Sequence, residues 1–191
     1  MTNTKKNTQK LALGAIFTAL VVVLQLLGSF IRFGPFSITL VLVPIVLGAA
    51  LCDFKIGGWL GFIFGFTVLV SGDASAFLAV NAPGTIATVL LKGTLCGLAA
   101  GLVYKALEEI NGYLAVITAA VICPVVNTAV FAIGCKLFFM ETIAEWGAAL
   151  GFTDATTYLF VGMIGANFLF ELGANIILAP IILRIVKLFE K

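Results

Sequence analysis

Lys92 and Glu171 are ionisable residues placed where charge is costly. Lys92 sits within Ile86-Ala-Thr-Val-Leu-Leu-Lys92-Gly, and Glu171 within Asn167-Phe-Leu-Phe-Glu171-Leu-Gly-Ala-Asn175. A charge at the centre of a bilayer costs about 2.5–3.5 kcal/mol on insertion scales, so such residues face a bundle interior or a cavity. Asn167, Glu171 and Asn175 are four apart and share one helix face. Asn127 follows Pro124 in Cys123-Pro-Val-Val-Asn127-Thr, where the proline could open backbone carbonyls to a site, a plain kink being its commoner effect. Asp73 lies in Ser71-Gly-Asp73-Ala-Ser75, and Asn81 opens Asn81-Ala-Pro-Gly84. An ammonium beside amides suits a carboxylate or a carbonyl-rich heterocycle, and so a neutral or anionic ligand. The structural alternative is a Lys92–Glu171 ion pair, with the asparagines bonding across helices.

Other chemistries drop out. The chain has no histidine, which removes Ser-His-Asp and Cys-His nucleophiles, His-ligated zinc and haem, and a histidine proton relay. Cys52, Cys96, Cys123 and Cys135 form no CxxC and read as buried free thiols, not as metal or disulfide sites. No cofactor or metal is expected. There is no GxxxxGK[ST], HExxH or GxSxG. A paired-carboxylate enzyme using Asp73 and Glu171 is disfavoured, because helix rise separates the two by about 21 Å in depth.

The elements that position these residues are apolar spans. Apolar residues make up 62% of the 191 and charged residues 10%, against about 25% charged in a soluble domain. Mean hydropathy is +1.20. A chain this size cannot bury that much apolar surface in water. Six spans are predicted, over about 11–30, 36–52, 56–72, 84–104, 113–140 and 157–183, each near the ~20 residues a helix needs to cross a bilayer. Unbroken runs of this length specify an all-α helical bundle, since a helix satisfies its own backbone groups. Residues 1–10 form a polar, basic tail, and 11–191 form one membrane domain. The first run reads as an uncleaved helix, being too long for a signal h-region.

Six spans place both termini on one side. That side holds Lys5, Lys6, Lys10, Lys55, Lys105, Arg184, Lys187 and Lys191, whereas the other holds Arg32 and Lys136. The bias puts both termini in the cytoplasm. Trp59 and Trp146 fall near opposite helix ends, as interface aromatics do. A net charge of +2 gives no reason to expect nucleic-acid binding. Counting 1.5 Å per residue from the outer surface puts Lys92 at about 12 Å, Asn127 at about 9 Å, Asn167 at about 15 Å and Glu171 at about 21 Å. Lys92, Asn127 and Asn167 thus gather in the outer half, in a pocket built from the fourth, fifth and sixth spans. The outer loop 73–84 is its candidate lid. Ala15-x-x-x-Ala19, Gly57/Gly61/Gly65 and Gly93/Gly97/Gly101 repeat small residues at four-residue spacing, which lets backbones approach closely. Packing within the bundle is the plainer use of the two glycine series, and the first span is the better candidate for docking another membrane protein.

With these blocks, Ser71–Thr85, Leu90-Leu-Lys-Gly93, Cys123–Thr128 and Asn167–Asn175, and with the Ala15/Ala19 signature on a six-span chain, the sequence resembles the substrate-binding S components of energy-coupling factor (ECF) vitamin transporters. The resemblance covers essentially the whole chain. It implies a subunit of the prokaryotic plasma membrane, without catalysis of its own, that binds a vitamin-like micronutrient from outside. It also implies association with a membrane coupling protein and two cytoplasmic ATPases. Ala15 and Ala19 would meet the coupling protein, and Lys92, Asn127, Asn167, Glu171, Asn81 and Asp73 would serve the substrate. Glu171 falls deeper than a ligand contact should. The competing function is a stand-alone proton-coupled carrier using Glu171, disfavoured by the lack of an internal repeat.

Overall fold

In the computed structural model, residues 3–29, 32–33, 36–37 and 40–189 are described, with side chains over 8–29 and 40–188. The elements run α1 (Asn3–Gly28), a short antiparallel pair β1 (Arg32–Phe33) and β2 (Phe36–Ser37), α2 (Leu42–Leu51), α3 (Phe54–Ser71), α4 (Ser75–Val80), α5 (Ala82–Leu107), α6 (Gly112–Phe138), α7 (Met140–Ala149), α8 (Ala155–Thr157), a π-helical stretch Tyr158–Gly165, and α9 (Ala166–Phe189). Among the described residues five helices are long and apolar enough to cross a membrane, counting Ala155–Leu188 as one. The protein is therefore a helical, multi-pass membrane protein. The basic residues Lys5, Lys6, Arg32 and Lys191, used above to orient the chain, have side chains outside the described residues.

Polar residues at the joints start the helices. Asp53 accepts from the Ile56 N–H at 2.9 Å and opens α3. Asn111 accepts from the N–H groups of Tyr113 and Leu114 and opens α6. Asn81 accepts from the Gly84 N–H at 3.0 Å and opens α5, with Pro83 in the first turn. Side-chain oxygens there satisfy donors that have no partner inside the helix. Gly72, at φ +84°, ends α3 in the left-handed conformation that only glycine adopts without strain.

Three long-range contacts fix how α1 and α3 run. The Cys52 thiol meets the Lys10 carbonyl, Trp59 Nε1 donates to Thr18, and Gln25 Nε2 donates to Asp73. The two helices are therefore parallel, and the chain between them must return the full length of the bundle. The sequence assigned that return to one span over 36–52. Instead its helical part is the ten-residue α2, about 15 Å long, or half of a bilayer core. α2 is buried along most of its length, with Leu42, Ile45 and Val46 fully enclosed. Its apolar run is continuous because it is surrounded by helices along most of its length.

The principal core joins α1, α2, α3, α5, α6 and α9 around residues such as Val21, Ile45, Leu60, Cys96, Ala119 and Ile182. Within it α3 and α5 meet backbone to backbone. A Cβ added at Gly61 would fall on the carbonyl oxygen of Gly93, and one at Gly93 would fall on that of Gly61. Packing inside the bundle thus accounts for both glycine series. A second, separate core contains Phe77, Cys135, Phe139, Ile143, Tyr158 and Met163, drawn from α4, α6, α7 and the π-helical stretch. All four cysteines are free and buried.

Candidate functional site

A cavity lies between the two cores. Its unfilled space, including the part open to solvent, is about 650 Å³. α5 supplies Thr85, Thr88 and Lys92 at spacings of three and four, so that all three project from one face. α9 supplies Asn167 and Glu171, again four apart. α1 contributes Gln25, and Asp73 enters from the turn after α3. Phe64, Phe77, Phe131 and Phe139 provide rings around these polar groups.

Lys92 is partly buried, and its ammonium lies 5.5 Å from the Phe64 ring centroid and 5.2 Å from that of Phe131. A cation over two ring faces is attracted by the negative face of each quadrupole. Glu171 is only 4% exposed. Its carboxylate accepts from Asn127 Nδ2 at 3.4 Å and also meets the Asn167 side chain. Asn175, 2% exposed, turns its amide N–H back to the Glu171 carbonyl at 2.9 Å. Gln25, 1% exposed, donates to the Asp73 carboxylate at 2.7 Å.

The depth estimate for Glu171 needs correction. Helix rise alone set Glu171 about 12 Å below Asn127, yet their side chains touch. The larger part of the gap lies at Asn127: α6 runs on to Phe138, eleven residues or about 16 Å beyond it, so Asn127 sits deeper than the count from the inner surface gave. The sixth span also passes through the π-helical stretch, where more residues per turn make the chain descend slightly less per residue before it reaches Glu171. Glu171 therefore lines the same cavity as Lys92.

Of the residues singled out from sequence, Lys92, Asn167, Glu171 and Asp73 line the cavity, and Asn127 supports Glu171. Asn81 stands outside it, at the joint between α4 and α5, where it caps α5. The loop 73–84 contains α4, whose one buried residue, Phe77, closes the cavity's end. Phe77 meets Phe139, Trp146 and Phe131 edge to face at centroid distances of 5.0, 5.4 and 5.8 Å. Trp146 is thus part of the aromatic cap, while Trp59 is half exposed on α3. α7 (Met140–Ala149) lies almost wholly between the predicted spans 113–140 and 157–183, where the sequence assigned no element.

Sequence reasoning missed Gln25, Thr85 and Thr88. Gln25 was visible as the lone polar residue in Val21-Val-Val-Leu-Gln-Leu-Leu27, and Thr88 as the residue one turn before Lys92. Midway along α1, Ala15 and Ala19 are exposed. Ala15 borders a shallow apolar groove with Leu11, Gly14, Thr18, Ile56 and Trp59.

A family model described as ECF transporter, substrate-specific component, matches residues 9–183. No curated protein and no solved structure matches the chain. The match covers nearly the whole chain, which belongs to the family of ECF transporter substrate-specific components: it is a transporter subunit and not an enzyme.

Proposed function

We propose that this S component captures a vitamin or related micronutrient at the outer side of a prokaryotic plasma membrane, and that the cavity between the two cores holds that substrate. The observation that carries the reading is the convergence of Lys92, Asp73, Glu171 and Asn167 with buried amides on one ring-lined space. Polar groups that are costly in lipid are here gathered where a small molecule can use them. Asn127 positions the Glu171 carboxylate, and Asn81 fixes the joint on which α4 and its Phe77 ring turn.

The chain runs the bundle's length six times, on five long helices and the return carrying α2, which suits six passes with both ends on one side. The positive charge at Lys10, Lys55, Lys105, Arg184 and Lys187 supports the cytoplasm as that side. Substrate would then enter past α4. Ala15 and Ala19, small and exposed, offer α1 as the face for a membrane coupling protein, which would connect the subunit to two cytoplasmic ATPases.

Native mass spectrometry of the purified protein should release a small molecule at one-to-one stoichiometry. Co-expressed with a coupling protein and its ATPases, Ala15→Trp should retain that molecule and abolish ATP-driven uptake. Uptake that survives Ala15→Trp and Ala19→Trp would remove α1 from the coupling role. Uptake that follows a proton gradient without any ATPase would overturn the reading itself.

A further inference from the structure

Thr88 and Lys92 stand one turn apart on the cavity face of α5, and neither has the hydrogen-bond partner its chemistry expects. A threonine inside a helix ordinarily donates its hydroxyl to the carbonyl of the preceding turn. Thr18, Thr67, Thr85 and Thr94 all do so, at 2.7 or 2.8 Å. The Thr88 hydroxyl oxygen is instead buried without a hydrogen-bond partner. α6 walls it in at Gly134, where any added side chain would meet the Thr88 hydroxyl and methyl. The Lys92 ammonium faces the Phe64 and Phe131 rings and feels the charges of Glu171 and Asp73 at longer range. Among the described residues none accepts a hydrogen bond from it. An ammonium carries three N–H donors and no acceptor, so it has donors to give.

The other walls present oxygens. A carboxylate only accepts, so an amide beside it must give its N–H₂ and turn its oxygen away. Gln25 gives its N–H to Asp73 at 2.7 Å, and Asn167 gives its own to Glu171. Gln25 Oε1 and Asn167 Oδ1 are left buried without a partner. Both residues line the cavity, and Gln25 and Thr88 are more than nine-tenths buried. Unpartnered buried oxygens are rare in folded proteins and mark a missing donor. The two carboxylates make no such demand, since Asp73 has Gln25, and Glu171 has Asn127 and Asn167. The cavity therefore offers N–H groups at Lys92, a hydroxyl that gives or takes at Thr88, and fixed acceptors at Gln25 and Asn167. The sequence alone left a neutral or an anionic ligand open. An anionic group brings only acceptors and would leave Gln25 and Asn167 unsatisfied, which favours the neutral ligand.

We infer that this cavity takes an uncharged ligand by an amide- or urea-type edge, a carbonyl flanked by N–H groups, and that the number of N–H groups on that edge sets the affinity. The inference rests on the cavity being the substrate site. The carbonyl accepts from the Lys92 ammonium, and the N–H groups beside it supply the donors that the oxygens of Thr88, Asn167 and Gln25 lack. The selection needs no charge on the ligand.

The test is calorimetric titration of the full chain in lipid nanodiscs with 2-benzimidazolinone, oxindole and 2-indanone, against empty nanodiscs as the blank. The three are uncharged and share one fused-ring shape and one carbonyl, but carry two, one and no N–H groups beside that carbonyl. The benzimidazolinone should bind at least about tenfold more tightly than the indanone, with oxindole between, the scale of buried hydrogen bonds made or lost. Apolar burial alone would give the reverse order, since the indanone is the least polar of the three. Thr88→Val, which keeps the shape and removes the hydroxyl, should narrow the gap severalfold without weakening the indanone or lowering the melting temperature. Lys92→Met should weaken all three alike, because each keeps its carbonyl. Indanone binding as tightly as benzimidazolinone overturns the inference, as does binding of none of the three while the assembled transporter still imports substrate. In both cases the uptake role stands. Failure of ATP-driven uptake in the assembled transporter counts against the uptake role alone, whatever the order of the three ligands.

Discussion

The α3–α5 seam and the aromatic cap of α4, α7 and the π-helical stretch hold together by opposite means. In the seam glycines bring two backbones into contact, and no side chain stands between Gly61 and Gly93 to take up a displacement. In the cap the contact is made by rings, Phe77 against Phe131, Phe139 and Trp146, on a helix of six residues. Backbone-to-backbone contact is lost if either helix shifts by a fraction of an ångström, because dispersion falls steeply with distance. Edge-to-face ring contacts are broad and can be broken and remade as one side chain swings. The polar cavity lies between a frame that fixes Lys92 on α5 and a cap of rings that would have to part from it if the cavity is the proposed substrate site. A binding site that must admit and release a ligand needs both.

Breaking the seam should have the largest effect. In Gly61→Val the new side chain would occupy the space of the Gly93 carbonyl. Overpacking a well-filled interior costs typically about 1–3 kcal/mol, and more where the obstacle is backbone. We expect little folded protein from Gly61→Val or Gly93→Val, read as loss of the monodisperse peak in detergent and loss of thermal unfolding cooperativity. An unchanged melting temperature in either variant would show the seam to be pliable and would remove the contrast.

The seam was legible in the sequence, and the cap was not. Glycines four apart at 57, 61 and 65 and at 93, 97 and 101 announce close helix approach by spacing alone, while that the two series meet each other came from the fold. The long spans were equally plain, because lipid imposes a length and a composition. α2 misled for a physical reason: a helix enclosed by other helices has the same continuous apolar run as one enclosed by lipid. α4 and α7 are short and amphipathic or ring-bearing, and their helical state depends on packing against α6 and the π-helical stretch, which no local pattern encodes. Among the site residues, Lys92 and Glu171 stood out because charge in an apolar run is rare. Gln25 and Thr88 did not, since their importance comes from the carboxylate and the ammonium brought to them by distant elements. Depth counted residue by residue misjudged Glu171 against Asn127 mainly because α6 runs on to Phe138 and so sets Asn127 deeper, and to a smaller degree because the π-helical stretch breaks the uniform rise.

A cap variant should separate binding kinetics from stability. Phe77→Ala deletes three ring contacts, each worth about 0.5–1.5 kcal/mol beyond area burial. It leaves the seam untouched. The melting temperature should fall less than in Gly61→Val, while dissociation of the bound ligand accelerates by about tenfold or more, the equivalent of about 1.4 kcal/mol of closure lost. Stopped-flow displacement measures the rate. A Phe77→Ala protein that unfolds as completely as Gly61→Val, or that releases ligand at the original rate, would mean the cap is part of the frame.

The smallest effect sharpens the comparison at the start of the sixth span. Asp154 precedes α8 and accepts from the N–H groups of Thr156 and Thr157 at 2.8 and 2.9 Å and from the Thr157 hydroxyl. The Thr157 hydroxyl first, then these N–H groups, hold its carboxyl below the usual carboxylate range. Because the folded value is the lower one, the cap's contribution is fully present above the ordinary carboxylate value and is lost as pH falls through the folded value. Asp154 is fully exposed, so the global melting temperature should barely move in Asp154→Ala. Hydrogen exchange should nevertheless quicken at Thr156, Thr157 and Tyr158 while amides of α3 and α5 keep their protection. In the unsubstituted protein protection of those three amides, corrected for the intrinsic pH dependence of exchange, should drop on acidification, whereas in Asp154→Ala it should no longer depend on pH. Equal loss of protection in the seam would show that frame and cap unfold as one unit, and the division between them would then be one of packing chemistry without a corresponding division in motion.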